Sequence, residues 1–80
     1  MVRIYIKPRC SLCEEARAAL EQLQTRVTFV LEVVDIRDRP DIWERYRHAV
    51  PVVMVEGEEI ARLRIDPATL ASRLGGTSGA

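Results

Sequence analysis

The sequence predicts a small α/β domain in which helices cover both faces of a four-stranded mixed sheet. Two observations lead to this prediction. Strand-type and helix-type patterns alternate along the chain in the order β-α-β-α-β-β-α, and 80 residues suffice for one domain but not for two. Residues 1–74 are expected to form that single domain. Residues 75–80 have no apolar anchor and are expected to form a disordered tail.

The first half of the chain is patterned as a strand, a helix and a second strand. Residues 2–6 alternate apolar and polar side chains, which is typical of a strand. Residues 11–24 repeat apolar side chains at helical spacing. Residues 27–36 are nearly continuously apolar and rich in β-branched residues, which favours a strand covered by helices on both faces. The strand–helix–strand order predicts a parallel pair with a right-handed crossover.

The second half predicts a short helix, a hairpin and a final helix. Pro40 suits the first turn of a helix, and Trp43 and Tyr46 supply its apolar side. Glu56-Gly57 is a turn candidate between two strand-type segments, and Asp66-Pro67 is a strong helix start. We expect the first and third helices on one face of the sheet and the second on the other. The predicted bounds are a helix at 40–47, strands at 51–55 and 58–63, and a helix at 67–74 that Asp66 caps.

Composition and charge exclude several classes of protein. Twelve basic and twelve acidic residues cancel, which argues against a nucleic-acid partner and against a membrane-surface protein. No signal-peptide pattern precedes the first strand, and the longest apolar stretch, residues 29–34, is too short to span a bilayer. We therefore expect a cytoplasmic protein. Structural disulfides are rare in that compartment, so a pair of nearby cysteines there favours catalysis or metal binding.

The chain has two cysteines, Cys10 and Cys13, at the predicted junction between the first strand and the first helix. At the helix start, Cys10 lies beside free backbone N–H groups and the positive end of the helix dipole, which stabilises a thiolate. Lys7 and Arg9 add positive charge nearby. Cys13 lies on the apolar stripe of the helix and should point inward. This arrangement suits dithiol–disulfide exchange, with Cys10 as the attacking thiol and Cys13 as the resolving thiol.

Other interpretations of the cysteine pair remain open. A closed zinc site needs four ligands, and the chain offers only the two cysteines and His48, which we otherwise expect at the surface near a helix end. We therefore predict no metal site within one chain. Thiolates from two chains could together hold an iron–sulfur cluster. Alternatively, the cysteines could be structural parts of a non-enzymatic interaction module.

The residues that surround this pair also resemble a known family. The element order, the segment KPRCSLC at residues 7–13 and the segment AVPVV at residues 49–53 resemble the glutaredoxin branch of the thioredoxin-fold superfamily. The resemblance extends over residues 2–74 and is closest to small bacterial glutaredoxin-like proteins. It implies a thioredoxin fold and a thiol–disulfide oxidoreductase that needs no metal or organic cofactor, and we expect the protein to be a monomer. Its partners would be protein or low-molecular-weight disulfides, with glutathione or thioredoxin reductase as electron donor.

The resemblance also implies roles for individual residues. Cys10 would attack and Cys13 would resolve. Pro51 would follow a cis peptide bond, although general X-Pro statistics favour trans, and the backbone N–H and C=O of Val50 would pair with an extended thiol substrate. Lys7 corresponds to a basic residue that contacts a glutathione carboxylate in glutaredoxins. The expected substrate-binding residues are Lys7, Arg9, Val50 and Pro51.

Two departures from the glutaredoxin pattern affect the choice of electron donor. The residues between the cysteines are Ser11-Leu12 rather than a proline and an aromatic residue, so the family's redox potential does not carry over. Glutaredoxins have a Gly-Gly after the fourth strand, and the aligned residues here are Ala61-Arg62, whose side chains would crowd glutathione. Dependence on glutathione and dependence on thioredoxin reductase are therefore competing expectations.

Overall fold

The computed structural model describes residues 1–74 and has the predicted order of helices and strands, with a short 3-10 turn added after the second strand. The tail predicted at residues 75–80 lies outside the described residues. The elements are β1 Val2–Ile6, α1 Ser11–Leu23, β2 Leu31–Asp35, the 3-10 turn Ile36–Asp38, α2 Pro40–Tyr46, β3 Val52–Val55, β4 Glu58–Arg62 and α3 Pro67–Leu74.

The four strands form one mixed sheet in the order β2-β1-β3-β4. β1 pairs in parallel with β2 and antiparallel with β3, and β3 and β4 form the predicted hairpin. The end of β1, the start of β3 and the end of β4 therefore lie side by side at one end of the strands, where Tyr5 pairs with Val52 and Val52 with Arg62. Loops from distant parts of the sequence come together at this end of the sheet.

Two apolar clusters, one on each face of the sheet, confirm the predicted placement of the helices. Successive side chains of a strand point to opposite faces. On one face, α1 and α3 pack on the sheet through the buried residues Val2, Ile4, Ala16, Leu20, Val53 and Leu70. On the other face, α2 packs through a cluster that includes Tyr5, Ile36, Tyr46 and Val52, with Trp43 packed against it. Trp43 and Tyr46 thus form the apolar side of α2, as predicted.

The second strand is shorter and more exposed than predicted. We expected a strand over residues 27–36 with both faces covered, but β2 begins at Leu31 and each of its residues is only partly buried. β2 lies at the edge of the sheet, so it cannot be covered as a central strand is. Residues 27–30 instead connect α1 to β2, with Val30 66% exposed, and Ile36 begins the 3-10 turn.

The helix starts follow the predicted capping pattern. The Asp66 carboxylate accepts a hydrogen bond from the backbone N–H of Ala68 at 3.0 Å, and Pro67 is the first residue of α3. Pro40 is likewise the first residue of α2, although no side chain caps that helix. The ends of α1, α2 and β4 and the start of β3 each differ from the prediction by one residue. Within residues 1–74, no helix combines the length and apolar character that crossing a bilayer requires.

Asp35 caps the 3-10 turn that follows β2. Its carboxylate accepts hydrogen bonds from the Arg37 guanidinium at 2.9 Å and from the Arg37 backbone N–H at 2.9 Å. These bonds hold the pKa of Asp35 below its ordinary value of 3.8, and the bonds from the guanidinium have the larger effect. Because this pKa is lower in the folded than in the unfolded chain, the stabilisation is complete above the unfolded-state pKa and is lost as the pH falls through the folded-state pKa.

We therefore expect Asp35→Ala to lower the free energy of unfolding by about 1 kcal/mol at neutral pH, because the cap is lost. The loss should be smaller in acid, where the wild-type carboxylate is itself protonated. Urea unfolding at about pH 7 and about pH 3 measures both values. Asp35→Asn is the matched control, since asparagine also caps, and it should lose less at neutral pH. Equal losses for Asp35→Ala at both pH values would contradict a charged cap.

Candidate functional site

Cys10 and Cys13 lie where β1 is followed by α1 and are joined by a disulfide, with their Cα atoms 5.2 Å apart. Cys10 is the N-cap residue of α1, and its Sγ accepts a hydrogen bond from the backbone N–H of Cys13 at 3.2 Å. The Cys10 sulfur is thus at the positive end of the helix dipole, as the sequence predicts. When the disulfide is opened, this position stabilises a sulfur anion relative to a thiol.

The two sulfur-bearing side chains differ in exposure. Cys13 is only 2% exposed and packs in the cluster that includes Tyr5 and Val52, which confirms that it points inward. Cys10 is partly buried and lines an open groove. A molecule in the groove therefore reaches Cys10 first, while Cys13 is protected by the core.

The groove beside Cys10 has a volume of about 360 Å³. Three parts of the chain that meet at one end of the strands form it: the loop before α1 together with the first turn of α1, the turn between α2 and β3, and the residue after β4. Pairing of β1 with β3 and of β3 with β4 brings these loops together. The lining residues are Lys7, Arg9, Cys10, Ser11, Leu12, Arg47, His48, Val50 and Leu63.

Positive charge dominates this groove. Lys7, Arg9 and Arg47 line it, and none of the described residues that line it is acidic. Lys7 Nζ donates a hydrogen bond to the Arg47 carbonyl at 2.8 Å, which ties the loop before α1 to the end of α2. None of these three basic side chains forms an ion pair with a described residue. The three basic side chains make the groove attractive to anionic groups. The exposed His48, which was expected at the surface near a helix end, also lines the groove.

Val50 and Pro51, which were both expected to contact a substrate, differ in whether they line the groove. The Val50–Pro51 peptide bond is cis, as the resemblance implies, so the trans form favoured by general statistics is wrong here. Pro51 is fully buried and is not among the groove-lining residues. Val50 lines the groove, but its N–H donates to the Tyr46 carbonyl at 3.1 Å. Of the two backbone groups of Val50 that were expected to pair with a substrate, the N–H is therefore already bonded within the chain.

Leu63 is a groove residue that the sequence did not identify. It follows β4 with φ +60°, and its N–H donates to the carbonyls of Pro51 at 2.9 Å and Ala49 at 3.2 Å. The sequence alignment placed the glycine-type position at Ala61-Arg62, but these are the last two residues of β4. The left-handed conformation that favours glycine is at Leu63 instead. No pattern marks this residue, since leucine rarely has a positive φ.

The sequence is similar to a known domain family and to a curated relative. Residues 1–75 match the family model described as "Glutaredoxin-like domain (DUF836)". A curated relative, "Glutaredoxin-like protein YDR286C homolog" of Dictyostelium discoideum, is 30% identical over 71 residues. The alignment covers 81% of this chain and 66% of the relative, so the chain spans just under two thirds of that protein.

Solved structures show the same fold. The NMR structure of protein Ne2328 from Nitrosomonas europaea is 30% identical, with a TM-score of 0.78 over 92% of this chain and 89% of that one. An X-ray structure of a protein from X. campestris is 25% identical, with a TM-score of 0.76 over 100% and 99% of the two chains. Thioredoxin 1 of Thermosipho africanus is 17% identical, with a TM-score of 0.61 over 96% and 97%, which shows the shared thioredoxin fold.

Proposed function

The chain belongs to the glutaredoxin-like (DUF836) domain family, and from that premise we propose that it is a thiol–disulfide oxidoreductase. The observation that best supports this proposal is the asymmetry of the cysteine pair. Cys13 is buried, whereas Cys10 caps α1 and lines a groove with basic walls. An accessible sulfur bonded to a protected one is the arrangement that two-step exchange requires.

Two exchange steps account for the reaction. The Cys10 thiolate attacks a substrate disulfide, so that a Cys10–substrate bond forms and the substrate S–S bond breaks. The departing sulfur leaves as a thiolate and takes a proton from water. Cys13 then loses its proton to solvent and attacks Cys10 Sγ, which re-forms the Cys10–Cys13 disulfide and releases the second substrate thiol. Two electrons pass from the protein dithiol to the substrate, and an external thiol or a reductase returns them.

The local geometry favours both steps. In the first step, the Cys13 N–H that donates to Cys10 Sγ, together with the dipole of α1, stabilises the attacking Cys10 thiolate. Lys7 and Arg9 add positive charge at the same place. The Cα separation of 5.2 Å lets Cys13 reach Cys10 without any movement of the backbone.

The remaining parts of the proposal concern the partners and the setting. We propose that the chain acts as a cytoplasmic monomer on protein or small disulfides, without a metal or an organic cofactor. Glutathione is one candidate donor, and two features of the groove affect it in opposite ways. The basic residues suit its carboxylates, whereas the Leu63 side chain lies in the groove and would crowd the glutathione backbone.

Electron supply is the experiment that tests this function. The oxidised protein is incubated with NADPH and thioredoxin reductase or, separately, with NADPH, glutathione and glutathione reductase, and NADPH consumption is followed during reduction of a model disulfide. Turnover in either system supports the proposed oxidoreductase and identifies its donor. Failure in both systems, together with failure of the chemically reduced protein to reduce a disulfide, would overturn the proposal. Visible absorbance of an anaerobic preparation would instead favour the cluster-binding dimer.

A further inference from the structure

We infer that Leu63 is a specificity-determining residue that makes the groove select polypeptide disulfides over glutathione. The preferred substrate has an apolar residue next to the attacked cysteine and carboxylates on either side of it. This inference rests on the proposed function, because it concerns which disulfides Cys10 attacks.

The backbone of Leu63 is held firmly at the rim of the groove. Its N–H is shared between the carbonyls of Ala49 and Pro51, in the turn that connects α2 to β3. Its φ of +60° is disfavoured for a leucine. Residues kept in such conformations are concentrated at binding sites, where the surrounding structure determines them. The backbone of Leu63 is therefore a fixed part of the groove wall, and it sets the direction in which the side chain leaves the wall.

The side chain of Leu63 is exposed, although it is large and apolar. Within the described part of the chain, three large apolar side chains are markedly exposed: Met1, Val30 and Leu63. Of these, Leu63, at 44% exposure, is the one that lines the groove with Cys10. Leu12 lines the same groove, and Leu12 and Leu63 also line a second, smaller depression together with Ile65. Leu63 and Leu12 thus offer an apolar contact beside the reactive sulfur.

Charge complementarity supplies the second half of the preferred substrate. Lys7, Arg9 and Arg47 line the same groove as Cys10, and none of them has an ion-pair partner among the described residues. A polypeptide can present an apolar side chain to Leu63 and carboxylates to these bases at the same time. Glutathione brings carboxylates, but its residues next to cysteine have no apolar side chain, so Leu63 only obstructs it.

Single-turnover kinetics tests this selectivity without any reductase. The chemically reduced protein is mixed with the disulfide-linked dimer of the peptide Asp-Cys-Leu-Asp, with dimers in which serine replaces leucine or lysine replaces aspartate, and with glutathione disulfide. Acid-quenched samples give the second-order rate constants. We expect the leucine peptide to react about tenfold faster than the serine peptide, which is typical of one apolar contact. The lysine peptide and glutathione disulfide should also react more slowly.

Three variants locate the effect at Leu63. In Leu63→Gly, the ratio between the leucine and serine peptides should fall towards one, and glutathione disulfide should react faster. Leu63→Asn suits a positive φ but is polar, so it should lose the preference for leucine and still obstruct glutathione. Glu56→Gly is the matched control: Glu56 also has a positive φ, of 50°, but lies at the opposite end of β3, so its ratios should equal those of the wild type.

The outcomes separate this inference from the function on which it rests. If Leu63→Gly and Leu63→Asn keep the wild-type ratios, Leu63 does not determine specificity. If the wild type reduces all the peptides and glutathione disulfide at similar rates, the selectivity is refuted while the oxidoreductase remains. If the reduced wild type reduces none of them, nor the small disulfide of 2-mercaptoethanol, the proposed function itself fails.

Discussion

Cys13→Ser is expected to stop the exchange at its first intermediate, a mixed disulfide between Cys10 and the substrate. Cys10 keeps its place at the start of α1 and in the groove, so the first attack should proceed. A serine hydroxyl cannot displace the substrate sulfur, so the adduct should persist until a reductant is added. Mass spectrometry under non-reducing conditions measures the adduct, and turnover should fall to the background rate.

Cys10→Ser is the companion experiment, and its expected result is the reverse. The remaining thiol, Cys13, is only 2% exposed and lies in the core, so it should neither attack a substrate nor form an adduct. Disulfide reduction should fall to the uncatalysed rate. An adduct on Cys13, or retained turnover in Cys10→Ser, would reverse the roles of the two cysteines. If the variant that lacks both cysteines still replaces the wild type in cells, the non-enzymatic interaction module would be favoured instead.

Tyr46→Ala is expected to lower the free energy of unfolding by about 3–5 kcal/mol, the usual loss for a buried aromatic side chain. Tyr46 is 8% exposed, and its ring stacks on that of Tyr5 with centroids 5.3 Å apart and planes 17° apart. The Arg45 Cζ lies 5.5 Å from the Tyr46 ring centroid. Since a domain of this size is stable by only about 5–15 kcal/mol, the loss would be a large fraction of the total.

Urea unfolding measures this loss, and Tyr46→Phe is the matched control. Phenylalanine keeps the ring, the stack and the packing of α2, so we expect its loss to stay below about 1 kcal/mol. If the alanine and phenylalanine variants lose the same amount, the ring does not provide the stability, and the packing of α2 on Tyr5 would have to be explained otherwise.

Local patterns were enough to predict most of the fold and the position of the two cysteines at the start of α1. The strand alternation of residues 2–6, the helical periodicity after Ser11 and the Asp66-Pro67 cap depend on neighbouring residues alone. The same holds for the inward direction of Cys13, which follows from its place on the apolar stripe of α1. These features needed no knowledge of what packs against them.

The errors concern properties that only tertiary neighbours determine. An apolar run does not reveal whether its strand is central or at the edge of the sheet. The strand predicted at residues 27–36 was therefore too long, and its residues were expected to be more buried than they are. The N–H of Val50 is occupied by a carbonyl of α2, which the sequence around Val50 cannot indicate. Leu63 lines the groove because its N–H binds two carbonyls of another loop, which hold its backbone in a conformation that leucine disfavours.

The edge position of β2 affects how the chain resists self-association. Within the described residues, β1 alone pairs with β2, so the outer backbone groups of β2 can template pairing with another chain. A formal net charge of zero gives copies of the chain little mutual repulsion. Protection therefore depends on β2 itself, which has five residues and carries the carboxylates of Glu32 and Asp35. Replacing Glu32, the ion-pair partner of Arg3, with valine would make residues 31–34 continuously apolar, a segment better suited to fibrillar stacking.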